Sequence, residues 1–236
     1  MVAPASFGGD ADAFVEAALG ELDDQRSVGG LVVSDQDELE RTARRLRRGS
    51  VILGSISSDL AVEVVSICRE LGLVHVEAGA LSDRALGPHT FRLTAAAADS
   101  SAAVMKLAAG RTLAVVAEES EFATAVIDAL EGEHEASLSG VTAVRDLLRP
   151  GALEALSGPG TAVVAVLRPP WPERLLGFAR GVTELIGVGS WARPEVGSAA
   201  RAADVRLKVC DVMPARLLTA ERLAREVAAS LRLHLD

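Results

Sequence analysis

The sequence predicts an α/β protein with two lobes, each built on a parallel β-sheet. Short apolar strands alternate with amphipathic helices along most of the 236 residues, a pattern typical of parallel sheets that carry helices on both faces. The alternation comes in two series, roughly 28–86 and 111–209, which an irregular segment joins. We therefore expect two Rossmann-like lobes, lobe one from residues 1–93 with 213–236 and lobe two from residues 94–212.

The first series combines helical repeats with short strand runs. Leu39, Ala43 and Leu46 repeat at helical spacing, and Gly72 ends the helix that precedes it. The segment Gly87–Leu93 shows neither the helical nor the strand period and predicts an irregular crossover. In chain order, the predicted elements are a helix over 12–22, a strand over 30–33, a helix over 36–48, a strand over 51–54, a helix over 59–71 and a strand over 73–77.

The second series follows the same rhythm and ends in a long helix. Leu223, Val227 and Leu231 repeat every four residues after the candidate N-cap Thr219. In chain order, the predicted elements are a helix over 99–108, a strand over 112–117, a helix over 122–131, a strand over 134–140, a mostly helical segment over 141–156 interrupted at 150–151, a strand over 162–167, a helix over 171–181, strands over 184–188 and 205–209, and a helix over 219–235.

Charge and hydropathy exclude several classes of function. The formal net charge of −9 argues against nucleic-acid binding, because phosphate contacts need a basic surface. The basic run at 41–48 follows acidic residues on the same predicted helix and fits a solvated helix face. No apolar stretch reaches the length of a membrane span, and residues 1–10 lack the features of a signal peptide. We expect a cytoplasmic protein, or an exported one from which a signal peptide has been removed.

The cysteines and glycines point away from metal and nucleotide chemistry. Cys68 and Cys210, the two cysteines, lie in separate halves of the chain and are predicted to be buried free thiols. No His, Cys and Asp spacing is typical of a zinc site, and neither a phosphate-binding glycine motif nor a Gly-x-Ser-x-Gly elbow occurs. We therefore expect neither a metal nor a cofactor.

Candidate ligand contacts follow from the rule that open parallel sheets bind ligands beyond the carboxyl ends of their strands. In the loop Gly54–Asp59, small hydroxyls and the free N–H groups of a helix N-terminus would suit a carboxylate, although Ser57 or Ser58 would also serve as a helix cap. The rule selects Ser55, Ser57 and Ser58, then Glu77, Ala78, Gly79 and Ala80, and in the second series 118–122, 168–171 and 189–191.

Four segments carry a family resemblance in their order and spacing, namely Val51–Ala61, Leu71–Ala80, Thr90–Thr94 and Leu113–Phe122. Together they resemble the branched-chain amino-acid-binding members of the type I periplasmic solute-binding proteins. The resemblance implies a two-lobed binding protein with a small-molecule ligand in the cleft between its lobes, and it implies that Ser57 and Ser58 contact the ligand.

The same resemblance shows departures at three ligand-contact positions. Glu77 and Leu81 stand where the family presents Ser and Thr, and Phe122 stands where the family has a Tyr that can form hydrogen bonds. These departures predict a carboxylate-bearing or partly apolar metabolite as the ligand, rather than an ordinary amino acid.

Aromatic and charged residues give further candidates, each with a plainer alternative. Trp171 and Trp191 follow predicted strands of lobe two and would form stacking walls for a ligand, or would pack against a helix. Arg168 would pair with an anionic ligand, or would lie at the surface. If the protein is an enzyme, Glu77 or His89 would act as its general acid or base.

Three functions follow from these residues. The first is a non-catalytic small-molecule binder. The second is a biosynthetic enzyme that has recruited the same cleft. The third is a degenerate interaction or oligomerisation module, for which a homodimer could cover an exposed sheet edge.

Overall fold

The computed structural model describes residues 2–4, 16, 31–33, 36–55, 57–77, 79–132 and 136–210. The chain divides into two compact units between Thr94 and Ala95. The helices predicted over 12–22 and 219–235 lie outside the described residues, apart from the helical residue Glu16. Residues 213–236, which the sequence assigns to lobe one, lie outside them as well.

The first unit contains parallel strands and the helices that cover them. Strands β1 (Val2–Pro4) and β2 (Leu31–Val33) pair in parallel. A second parallel sheet has the order β3 (Val51–Leu53), β4 (Val74–Glu77), β5 (Thr90–Arg92), and the helices are α1 (Gln36–Ala43) and α2 (Ser58–Leu71). Leu39, Ile52, Val64 and Leu73 are buried in one cluster. This cluster explains why the apolar repeat predicts α1 and α2. Helix α1 ends at Ala43 rather than at residue 48, and Leu46, the last residue of the repeat, is 41% exposed beyond it.

Strand β5 corrects the irregular crossover predicted for Gly87–Leu93. The segment turns at residues 88–89 and then pairs in parallel with β4 over Thr90–Arg92. Phe91 in this strand is 63% exposed, so the strand lacks the apolar alternation of a half-buried strand. Pairing with β4, which lies more than ten residues earlier in the chain, forms the strand, and local sequence patterns do not encode such a contact.

The second unit is built on a five-stranded parallel sheet with the order β10-β9-β8-β6-β7. The two central strands, β6 and β8, are apolar and almost wholly buried, as expected for a parallel sheet covered on both faces. The strands are β6 (Thr112–Ala117), β7 (Leu138–Ala143), β8 (Thr161–Val166), β9 (Glu184–Val188) and β10 (Arg206–Cys210), and the helices are α3 (Ala97–Ala108), α4 (Glu121–Gly132), α5 (Trp171–Leu176) and α6 (Pro194–Ala202).

The helix predicted over 141–156 is wrong. Strand β7 extends to Ala143, and only short 3₁₀ turns follow, at Val144–Leu147 and Glu154–Leu156. Val144, Leu147 and Leu153 are buried together in the core of the second unit, so their spacing of about three residues imitates a helical repeat. Gly151, with a φ of 76°, reverses the chain between the two turns, which a continuous helix does not allow.

Two helices after β8 also differ from the prediction. The helix predicted over 171–181 ends at Leu176, and α6 was not predicted. Helix α6 buries only Val196 and Ala200, four residues apart, which is a weak apolar signal. Pro194 at its first turn is the start signal that sequence reasoning missed.

The prediction of buried free thiols is confirmed, because Cys68 and Cys210 are buried and form no disulfide. Burial raises the pKa of the Cys68 thiol to about 12. The Cys210 thiol lies 3.3 Å from the carbonyl oxygen of Ser100, to which it donates. The Cys68 thiol therefore stays protonated at neutral pH.

Candidate functional site

The carboxyl edge of the first unit brings together the loops that follow β3 and β4. Parallel pairing of Leu53 with Val76 sets the two strand ends side by side. The selected residues of these loops are mostly buried, namely Ser55, Ser57, Ser58, Glu77, Ala80 and Leu81, and Gly79 is half-buried. Ala78 lies outside the described residues.

Glu77 is the organising group of this edge. Its Oε1 accepts the backbone N–H groups of Gly79 at 2.5 Å and Ala80 at 2.6 Å, and its Oε2 accepts that of Ser55 at 3.2 Å. The Nε2 atom of His75 lies 3.4 Å from the same Oε2 and also bonds to the carbonyl oxygen of Gly54. A carboxylate with no exposed surface needs such donors, and here they tie the two loops to each other.

The serine hydroxyls are engaged within the same loops. Ser55 Oγ donates to the carbonyl oxygen of Ser57 at 2.6 Å, and Ser58 Oγ accepts the N–H of Leu81 at 3.1 Å. Ser57 lies at the N-cap position of α2, where its side chain makes no capping bond to the helix residues that the structure describes. The serines that sequence reasoning offered to a ligand therefore hold the loop backbone, at least through Ser55 and Ser58.

Neither acid–base candidate occupies a favourable position for catalysis. The Glu77 carboxylate is fully buried and accepts three backbone N–H groups. His89 is exposed in the turn before β5, where its carbonyl oxygen accepts the N–H of His75. Among the described residues, no group of His, Cys, Asp and Glu could hold a metal ion.

The carboxyl edge of the second unit carries an ion pair at its centre. Glu118 follows β6 and Arg168 follows β8, and these neighbouring strands flank the point where the strand order reverses. Arg168 Nε bonds to Glu118 Oε1, the Arg168 N–H donates to Oε2 at 3.3 Å, and Ser120 Oγ donates to Oε1 at 3.1 Å. The Glu118 side chain is 7% exposed and that of Arg168 is 21% exposed. The pair therefore occupies the position where open α/β sheets bind ligands.

The aromatic candidates divide between core and surface. Trp191 is 1% exposed within the core of the second unit, and a Cβ on Gly187 would lie 2.3 Å from its ring atom Cδ2. This position supports the packing alternative for Trp191. Trp171 is half-buried, and the guanidinium carbons of Arg145 and Arg174 lie 5.8 and 5.4 Å from its ring centroid, a geometry typical of cation–π contacts.

Phe122 is buried at the carboxyl edge of the second unit. Its ring is buried against Gly189, where an added Cβ would lie 2.8 Å from Phe122 Cζ. The carbonyl oxygen of Leu167, the residue before Arg168, lies 3.4 Å from the same Cβ position. Phe122, Gly189 and the start of the Arg168 loop are therefore neighbours at one sheet edge.

Sequence reasoning missed the partners that these candidates have. Glu118 fell within a selected range, but neither its pairing with Arg168 nor the contact of His75 with Glu77 was predicted. A usable signal exists for the ion pair, since opposite charges directly follow two strands that a parallel α/β order makes neighbours. No comparable signal exists for the Glu77 network, because its donors are backbone N–H groups.

Comparison with known proteins identifies the fold. LivK, a leucine binding protein from Thermotoga maritima, matches with a TM-score of 0.70 at 14% identity, over 98% of this chain and 80% of that chain. The branched-chain amino acid transporter substrate binding protein LivJ from Streptococcus pneumoniae, in complex with isoleucine, matches with a TM-score of 0.68 at 13% identity, over 97% of this chain and 81% of that chain.

The chain has the type I periplasmic solute-binding fold.

A third structure with the solute-binding fold is a fatty acid ABC transporter substrate-binding protein from Thermomonospora curvata. It matches with a TM-score of 0.61 at 14% identity, over 84% of this chain and 60% of that chain. No protein-family model matches the chain, and no curated protein matches it in sequence. The structural matches confirm the solute-binding fold that the sequence resemblance implies. At sequence identities of 13% and 14%, they show a shared fold.

Replacing Gly187 by Ala tests the core position of Trp191. The new Cβ would lie 2.3 Å from the Trp191 ring, so we expect the free energy of unfolding to fall by about 1–3 kcal/mol. Urea denaturation followed by tryptophan fluorescence measures this change. The matched control is Gly132→Ala at the end of α4, where an added Cβ meets nothing within 4 Å. Equal stability of the two variants would contradict the packing of Trp191 on Gly187.

Replacing Glu77 by Gln tests the role of the buried carboxylate. The amide retains one acceptor oxygen and places an NH₂ group against backbone donors, so we expect a loss of about 2–4 kcal/mol in the free energy of unfolding. The matched control is Glu119→Gln, which changes an exposed carboxyl that also follows a strand and should alter stability by less than about 0.5 kcal/mol. Chemical denaturation compares the two variants, and a Glu77→Gln protein as stable as the control would refute the anchoring role.

Proposed function

We propose that this chain is a small-molecule binding protein of the type I solute-binding class, with a carboxylate-bearing or partly apolar metabolite as its ligand. The observation that carries the proposal is the shared fold over 97–98% of the chain with LivJ, in complex with isoleucine, and with the leucine binding protein LivK. The fatty acid transporter protein extends the ligands of this fold to apolar carboxylic acids.

The first unit supports the proposal through the hydrogen bonds between the loops that follow β3 and β4. Hydrogen bonds of Glu77 and Ser58 connect the described residues of the loops after β3 and β4. Pre-ordered loops at the carboxyl edge of a parallel sheet reduce the entropy that ligand binding costs. The location of the ligand between the lobes, which the sequence resemblance implies, stays a prediction.

The second unit supports the proposal through the chemistry of its edge. The Arg168 side chain is partly exposed, and the half-buried ring of Trp171 lies at the same end of the sheet, where Phe122 is buried. A charged group beside apolar rings is typical of sites for small molecules. The enzyme alternative is not favoured, because Glu77 is fully committed to backbone donors and His89 is exposed.

The predictions of a homodimer and of a cytoplasmic location remain predictions. Phe91, 63% exposed on the edge strand β5, supports a contact with a second copy of the chain, which light scattering would measure. The part of the chain that the structure describes contains no helix long and apolar enough to cross a membrane.

Release of a bound molecule tests the proposed function. We expect that denaturing the purified protein releases a stoichiometric small molecule that mass spectrometry identifies. Added back at about 100 times its Kd, that molecule should stabilise the refolded protein by about 2.7 kcal/mol, because it binds the native state alone. Protein that has been unfolded, dialysed and refolded is the ligand-free control. A failure both to release a molecule and to show a saturable thermal shift with a metabolite library would contradict the proposal.

A further inference from the structure

The two carboxylates that directly end strands β4 and β6, Glu77 and Glu118, are both engaged by internal donors. Glu77 is fully buried and accepts three backbone N–H groups. Glu118 is 7% exposed and accepts the Arg168 guanidinium, the Arg168 N–H and the Ser120 hydroxyl. An α-ammonium group held away from water needs an acceptor of opposite charge. Neither strand-end carboxylate supplies one.

The remaining acidic residues beside these strand ends are poor partners for an ammonium group. Glu119 is exposed, and water and salt screen an ion pair at such a position. Asp59 and Glu121, in the first turns of α2 and α4, each already take part in an interaction. The described strand ends therefore lack a buried negative charge that is ready for a ligand.

Within the ion pair of the second unit, the arginine is the more exposed member, with 21% of the Arg168 side chain exposed against 7% of that of Glu118. Arg168 lies at the point of strand-order reversal in the second unit, with 21% of its side chain exposed. Its planar guanidinium matches the geometry of a carboxylate, which two parallel N–H groups can hold. Trp171 follows Arg168 by three residues, and the backbone N–H of Trp171 donates to the carbonyl oxygen of Arg168 at 3.0 Å. This edge thus places the Arg168 side chain near the half-buried Trp171 ring, over which the guanidinium groups of Arg145 and Arg174 lie.

From this distribution of charge we propose that the ligand is an apolar carboxylic acid without an α-ammonium group, and that Arg168 recognises its carboxylate. The inference rests on the proposed function and narrows its ligand to one chemical class. The ligand carboxylate competes with Glu118 for the guanidinium, so Glu118 lowers the affinity that Arg168 provides.

Four probes with one branched carbon skeleton test the ligand class. They are 4-methylpentanoate, L-leucine, 3-methylbutylamine and 4-methylpentanamide, which carry the carboxylate alone, both charged groups, the ammonium alone and neither charge. Titration calorimetry on the ligand-free protein at neutral pH should show 4-methylpentanoate binding at least about tenfold more tightly than each of the others. The carboxylate of the probe is the charged group that the partly exposed Arg168 attracts.

Variants of the ion pair test the role of Arg168. Because Arg168→Met leaves Glu118 without its cation and so endangers folding, the double variant Arg168→Met with Glu118→Gln replaces the pair by neutral groups of similar size. We expect the double variant to bind 4-methylpentanoate at least about tenfold more weakly, and Glu118→Gln alone to bind it more tightly than the parent protein. Arg180→Met, which removes an exposed arginine of the same unit, is the matched control and should leave the affinity unchanged.

Three results would overturn the inference. These are tighter binding of L-leucine than of 4-methylpentanoate, an unchanged affinity in the double variant, and the absence of binding by all four probes. Identifying the co-purified molecule shows whether the carboxylic-acid class alone is wrong or the proposed binding function is wrong as well. A released amino acid would overturn the carboxylic-acid class and leave the binding function intact, whereas a protein that releases nothing and shows no thermal shift would contradict the function itself.

Discussion

The burial of the Glu77 carboxylate is the constraint on which the first unit depends. A charged group without contact to water is stable only when donors surround it, and Glu77 obtains them from the backbone of its own loop and of the neighbouring loop. Its position at the end of β4 fixes both loops where a parallel sheet presents its ligand-binding edge. The residue that departs most from the amino-acid-binding pattern is therefore also the residue that orders this edge.

The two units solve the same problem of charge in different ways. In the first unit, backbone N–H groups satisfy a carboxylate that is closed to solvent. In the second unit, the Arg168 guanidinium satisfies Glu118, and about a fifth of the Arg168 side chain is exposed. A backbone donor cannot leave its acceptor without moving the chain, whereas an arginine side chain can exchange partners. This difference is the reason for proposing Arg168 as the group that recognises an anion.

The parts of the fold that could be predicted from the sequence are those with strong local periodicity. The buried runs of β6 and β8 and the apolar repeats of α2 and α4 were predicted to within one residue at their ends, whereas α1 ends five residues before its predicted end. Strand β5 was missed, because it exists through pairing with β4 and exposes Phe91. The false helix over 141–156 arose because Val144 and Leu147 occupy helical spacing but reach the core from a 3₁₀ turn.

The candidate site was predictable in its position but not in its bonds. The strand-end rule selected Ser55, Glu77 and Arg168 correctly as edge residues. It did not reveal that the backbone N–H of Ser55 donates to Glu77, because every residue type except proline has such a donor. Trp191 was indistinguishable from Trp171 for a similar reason, since its burial in the core of the second unit, against Gly187, depends on tertiary contacts.

The most direct test of the anchoring role of Glu77 is the amide hydrogen exchange of its three donors, measured by NMR on the ligand-free protein. The N–H groups of Ser55, Gly79 and Ala80 should exchange as slowly as buried sheet amides such as that of Val76, because a buried carboxylate accepts them. The Glu77→Gln variant should lose much of this protection at all three positions together. Rapid exchange of these amides in the parent protein would contradict the account.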